Sequence, residues 1–166
     1  MKPFLAAILA AAVVGLAGPV SAEPLLVGVW TGDLACASCS GLRTELTLVR
    51  KASGWAEGRY LLKQTYLGTK ARPRVTTGEW TTLKGDVADD NAVVYELDPD
   101  HPTLHFVEDG GGKIRALDKD LKAWPKGHAA LLSRQMKGLP TAGQVNCLRK
   151  GGVPDGAACA MTVAKR

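Results

Sequence analysis

The chain has 166 residues, a length that fits one domain with a substantial core and is short for two ordinary ones. Its 21 Lys and Arg against 16 Asp and Glu give a net charge of +5, and the excess is dispersed. The densest basic stretch, Lys70-Ala71-Arg72-Pro73-Arg74, falls on an expected loop with no interleaved aromatics, so nucleic acid is not an expected partner.

At the N-terminus Lys2 precedes an apolar run from Phe4 to Ala17, and Val20-Ser21-Ala22 supplies the small residues that a signal peptidase accepts. The run is too short and too lightly flanked for a transmembrane helix. Residues 1–22 therefore read as a secretory signal peptide, with a periplasmic or secreted mature chain beginning at Glu23. No cysteine stands at the junction, so no stable membrane anchor is expected. Four cysteines in an oxidising compartment predict two disulfides. Three pairings exist in principle, and local closure favours Cys36 with Cys39 and Cys147 with Cys159.

From Leu25 onward the pattern is β. Residues 26–34 form the first expected strand, with Gly28 and Trp30 on one face. In residues 43–51, Leu46 and Leu48 face one way while Glu45 and Thr47 face the other. Further strands are expected over residues 57–67, 75–83, 92–97, 103–107 and 113–117, the last two joined by a Gly-rich hairpin connection. These seven segments, joined by compact turns and interrupted by no long helix, predict an antiparallel meander closed into a small up-and-down barrel. The crossover helices of a parallel sheet are missing.

After Asp118 the texture changes. Residues 128–136 read as a short helix ending at Gly138. Residues 141–166 carry too few apolar side chains to own a core, so they are expected to pack on the barrel, held by Cys147 and Cys159. The expected division is a barrel domain over residues 23–124 and a C-terminal extension over 125–166.

The stretch from Gly28 to Leu46 holds the most specific chemistry, Cys36-Ala37-Ser38-Cys39 between two strands. Two thiols at this spacing can be a redox couple, a soft-metal pair or a closed disulfide. A thioredoxin-like couple needs its first cysteine at a helix N-terminus, which a strand-to-strand connection does not offer. As metal ligands Cys36 and Cys39 would suit Cu(I) or zinc, but a closed site needs further donors. His101, His105, His128, Met136 and Met161 are the candidates, and they are scattered. His105 reads as a surface or a satisfied strand residue, and His101 as a solvated turn residue. A bridged clasp between the first two strands is the plainest expectation, and no cofactor is required, copper being the one the thiols would suit.

Catalysis has little to stand on. There is no G-x-S-x-G, H-E-x-x-H or P-loop, and the carboxylates at Asp89-Asp90 and Asp98-Pro99-Asp100 lie in turns where Asp serves as a local acceptor. The tryptophans Trp30, Trp55, Trp80 and Trp124 would either plug the barrel or line a pocket in its mouth, with Trp55 on a turn. A non-enzymatic protein is expected. A binder of a small apolar ligand in the barrel mouth is the alternative reading.

Gly28, Trp30, Gly32, the Cys36-x-x-Cys39 pair, Gly41, Thr44 and Leu46 together resemble the opening motif of the NlpE N-terminal domain family, bacterial envelope lipoproteins associated with copper resistance and surface sensing. Tyr66-Leu67-Gly68, Gly78-Glu79-Trp80 and Asp109-Gly110 continue the likeness, which covers about residues 27–117. Ala35 and Ser38 replace the family's usual Pro and Asp, and neither the lipidation cysteine nor the second, OB-like domain of longer members is expected here. The resemblance implies a lipocalin-like barrel. It also implies a role in copper tolerance or envelope stress sensing, through an envelope protein partner or a metal response at the Cys36-x-x-Cys39 loop.

Overall fold

The computed structural model describes residues 25–51, 54–101, 104–125, 130–156 and 158–161. The expected signal segment and His128 lie outside them. Strands β1 (Leu26–Leu34), β2 (Gly41–Arg50), β3 (Glu57–Leu67), β4 (Arg74–Lys84), β5 (Val93–Leu97), β6 (Leu104–Glu108), β7 (Lys113–Leu117) and β8 (Leu131–Arg134) each pair antiparallel with the next, and β8 closes on β1.

Alternation along the strands sends one side-chain set inward, as the two-residue period dictates. Trp30, Leu46, Leu48, Tyr60, Leu62, Trp80, Leu97 and Phe106 meet there in a single buried cluster. Tyr95 joins it, with ring centroids 6.1 Å from Trp30 and 5.7 Å, edge-on, from Trp80. The Trp80 indole N–H donates to the Val49 carbonyl at 3.0 Å, so this buried donor is satisfied. The tryptophans divide: Trp30 and Trp80 plug the interior, Trp124 packs against it half-buried, and Trp55 stands exposed.

Eight strands close the barrel, where the sequence suggested seven. The eighth, β8, lies inside residues 128–136, which read as a helix, so that expectation fails over residues 131–134. The strands accordingly run past residue 124 to Arg134, beyond the expected end of the barrel domain. Only Leu132 of β8 is buried, which leaves no alternation to betray a strand. Tertiary pairing decides the local structure here. The closing seam consists of two pairs, Trp30 with Arg134 and Thr31 with Ser133.

The barrel is lopsided. Residues 32–34 of β1 extend beyond the last pairing with β8, and residues 74–79 of β4 beyond the pairing with β5. At about 3.3 Å per residue these overhangs reach roughly 10 and 20 Å. The β1–β2 and β3–β4 connections sit at the tip of this four-stranded extension. Leu34 and Thr44 keep its inner face buried.

After β8 the chain forms helix α1 (Ala142–Arg149) and a hairpin of β9 (Gly152–Asp155) and β10 (Ala158–Met161). Thr141 caps α1 by accepting from the Gln144 N–H at 3.3 Å, while the Gln144 side chain accepts from the Thr141 N–H at 2.8 Å. The Cys147–Cys159 disulfide ties helix to hairpin. Val145 and Leu148 bury against Val49 on the outer wall of the barrel, with Leu25, Leu26 and Leu61 around them. The extension thus packs on the barrel as expected, with a defined helix that composition did not suggest. Among the described residues no helix is long and apolar enough to cross a membrane.

Candidate functional site: the bridged loop between β1 and β2

Residues 35–40 leave β1 at the buried Leu34 and enter β2 at the buried Gly41. Cys36 and Cys39 are joined by a disulfide with Cα atoms 5.4 Å apart. Both cysteines are half-buried, and Ala37 and Ser38 between them are exposed. The bridge therefore forms a small clasp whose outer side faces solvent.

Two contacts hold the clasp in place. The Ser40 N–H donates to the Leu67 carbonyl at 3.1 Å, carrying the β2–β3 ladder one step past Gly41. Gly68 follows at φ +74°, and a Cβ there would lie 2.5 Å from Ser40 Oγ, so this turn accepts only glycine without displacement. At the base, Asp33 and Arg43 face each other across β1 and β2. Arg43 Nε and Nη2 donate to the two Asp33 carboxylate oxygens at 2.9 and 3.2 Å. That bidentate bond is the main reason the Asp33 carboxyl lies below its ordinary range and the Arg43 guanidinium above its own.

The flanking glycines make room for neighbours. A Cβ on Gly28 would lie 2.6 Å from the Trp30 ring, so the glycine two residues before the tryptophan gives the indole its place in the core. A Cβ on Gly32 would lie 2.5 Å from the Leu131 carbonyl and 3.2 Å from Leu132 Cα, so this glycine lets β8 approach and close the barrel. Thr44 is buried and donates to the Leu42 carbonyl at 3.0 Å, and Leu46 is fully buried in the core. The motif is thus a packing signature around the loop.

The other candidate ligands do not assemble with the thiols. His101 lies exposed in the turn after β5. His105 is buried, with Nε2 3.0 Å from Glu96 Oε2 on the neighbouring strand, the second of the two readings that the sequence left open. Met136 is exposed after β8, and Met161 ends β10. Among the described residues no group of three or more His, Cys, Asp or Glu is placed to hold a metal ion. The Asp89 carboxylate accepts from the Asn91 N–H at 2.8 Å, the local role expected of it. Asp98 instead accepts from the distant Tyr60 hydroxyl.

One feature had no sequence signal. A cleft of about 780 Å³ opens on the outer wall between β1–β3 and the C-terminal unit, bordered by Val29, Leu61 and Val153 among others. Its walls come from segments far apart in the chain, and outward-facing positions such as Val29 and Val49 read only as the opposite face of a strand.

A closed, core-filled barrel with a bridged two-cysteine loop on its first hairpin defines the class: a small up-and-down antiparallel β-barrel domain, here carrying a disulfide-stapled C-terminal unit. The family model of the NlpE N-terminal domain matches residues 30–125, more than half of the chain, and the protein belongs to that family. Two solved structures are similar. A chain from Shewanella oneidensis described as a lipoprotein is 24% identical, with 68% of this chain and 89% of that one covered and a TM-score of 0.46. The Cpx pathway activator NlpE from Escherichia coli is 20% identical, with 69% of this chain and 54% of that one covered and a TM-score of 0.41. A search of curated proteins finds no match.

Proposed function

We propose that this is an exported, non-enzymatic NlpE-type protein of the bacterial envelope, in which the Cys36-x-x-Cys39 loop is a redox- or copper-responsive element in envelope stress sensing. Membership of the NlpE N-terminal domain family supports the class of function. The observation that carries the finer reading is the placement of the bridge at the tip of the strand extension, half-buried with Ala37 and Ser38 exposed. A partner dithiol can reach such a bridge. Its two thiols pass two electrons and two protons to Cys36 and Cys39, which become thiols while the donor becomes a disulfide. The reduced pair can then bind a Cu(I) ion as thiolates, its two protons passing to water, with a further ligand supplied from outside the loop. Either event removes the clasp and changes the surface offered to an envelope protein partner.

The test compares wild-type protein with Cys36→Ser/Cys39→Ser in cells carrying an envelope stress reporter, with and without copper. The reading expects an altered reporter response in the double variant at equal protein level. It also expects reduced wild-type protein, but not the variant, to compete with a Cu(I) chelator. A reporter response and chelator competition both unchanged by the substitution would overturn it. The alternative of a ligand in the barrel mouth gains no support from the interior, which Trp30, Tyr60, Trp80 and Phe106 fill.

A further inference from the structure

The C-terminal unit packs on the barrel where Val145 and Leu148 meet Val49, with Gly151 lying close to Arg59 on β3. Beside this packing the two parts leave the cleft of about 780 Å³, within the range of roughly 300–1,000 Å³ typical of small-molecule sites. Val29, Val49 and Leu61 supply the barrel side, and Val145, Leu148 and Val153 the other. No aromatic residue lines it among the described residues, and the rings of Trp30, Tyr60, Trp80 and Phe106 are spent inside the barrel. Planar ligands are held by aromatic faces, whereas these aliphatic side chains, with Thr31, Thr47, Gln135 and Gln144 interspersed on the same walls, suit a flexible hydrocarbon chain that ends in a polar head. The Cys147–Cys159 bridge fixes helix to hairpin on one side of the cleft, so that wall is ordered before a ligand arrives.

The rim carries charges of both signs. Glu45 and Lys63 are directly opposed on β2 and β3, while Lys137 follows β8 and Asp155 ends β9. All four are exposed, and none makes an ion pair or side-chain hydrogen bond with another described residue. Elsewhere on the barrel such groups pair, as Asp33 does with Arg43 and Asp109 with Arg115. Each side of the cleft thus presents one free cation and one free anion. A head group with a single charge would meet like charge on either side, whereas one carrying both an ammonium and a phosphate finds complements.

We propose that this cleft binds a single-chain amphiphile with a zwitterionic head, of the lysophospholipid type, the acyl chain lying along Val29, Leu61 and Val153 and the head between the rim charges. The proposal does not depend on the thiol loop.

Titration calorimetry of the oxidised protein with lauroyl lysophosphatidylcholine, below its micelle-forming concentration, tests this. The expected result is saturable one-to-one binding, about tenfold tighter than that of lauric acid or dodecyltrimethylammonium, with none for glycerophosphocholine. Val153→Trp fills the cleft and should abolish binding with the far-ultraviolet spectrum and both disulfides intact. Lys137→Glu lies outside every strand and helix, and should weaken binding about tenfold whether or not the tryptophan variant folds. Cys36→Ser/Cys39→Ser should bind as wild type does. Absence of lysophospholipid binding, or full binding by folded Val153→Trp, overturns the site. Equal affinity for lauric acid, or an unchanged Lys137→Glu, overturns the zwitterionic assignment.

Discussion

The Tyr60 hydroxyl donates to Asp98 Oδ2 at 2.6 Å, tying the middle of β3 to the turn after β5 across the face of β4. Gly78 lies between them, and Asp98 holds a left-handed backbone at φ 54°. Tyr60→Phe keeps the ring and removes the donor, leaving a half-buried carboxylate without it. A loss of about 1–3 kcal/mol is expected in urea unfolding, and a loss under about 0.5 kcal/mol would show that the bond does not hold the turn.

Tyr60 and Tyr95 also give the protein an alkaline limit. Burial first, then hydrogen bonds to Asp98 and Glu108 and the charges of those groups, push the phenols of Tyr60 and Tyr95 above their ordinary value of 10.0. Unfolded tyrosines therefore lose protons at a pH where the folded ones keep them. Their stabilisation is complete below pH 10.0 and is lost as the pH rises through the raised values. Unfolding midpoints measured on both sides of that value should fall for wild type and fall less for Tyr60→Phe/Tyr95→Phe.

Gly28→Ala and Gly32→Ala should each lower stability by about 1–3 kcal/mol, since each inserts a methyl group into occupied space. The Gly28 change should also displace Trp30 and alter its fluorescence. At Gly41 the nearest atom to a new Cβ is Leu67 Cδ1 at 3.4 Å, an ordinary contact with the end of a flexible chain. Gly41→Ala should cost the least of the three in thermal unfolding, and the reverse order would contradict the assigned roles.

Removing the second disulfide should loosen one part of the molecule. Cys147→Ser/Cys159→Ser is expected to cost the C-terminal unit about 3 kcal/mol in the chain-entropy picture. Among the described residues no barrel ladder contains one beyond Arg134, so the barrel should persist. Limited proteolysis should cut between β8 and β10 while hydrogen exchange in β2 and β3 stays slow, and loss of protection throughout the barrel would show that the two parts unfold together.

Strands were legible wherever alternation ran for five residues or more. The bounds of β1, β3 and β7 match the expected ones, because Trp30, Tyr60, Leu62, Ile114 and Ala116 mark the inward face without ambiguity. The site was legible as a spacing, Cys36-x-x-Cys39 between two strands, and the structure places it on that hairpin. Two elements escaped. β8 buries only Leu132 and takes its conformation from its neighbours, β7 and β1, and the approach that Gly32 allows is a property of two distant segments. Helix α1 did leave a trace in Thr141-x-x-Gln144, a capping box, but only Val145, Cys147 and Leu148 are buried in eight residues. So thin an apolar stripe is easily passed over.

The two-pair seam between β1 and β8 also orders events during synthesis. Thr31 and Gln135, whose side chains bond across it, lie 104 positions apart, so a chain made from its N-terminus remains an open sheet until Arg134 is available. Throughout that interval the free edge of β1 is a template for another chain. The Cys36–Cys39 bridge spans three positions within the first hairpin and needs nothing downstream. The earliest covalent fastening in this protein can therefore be made before β8 has closed the barrel.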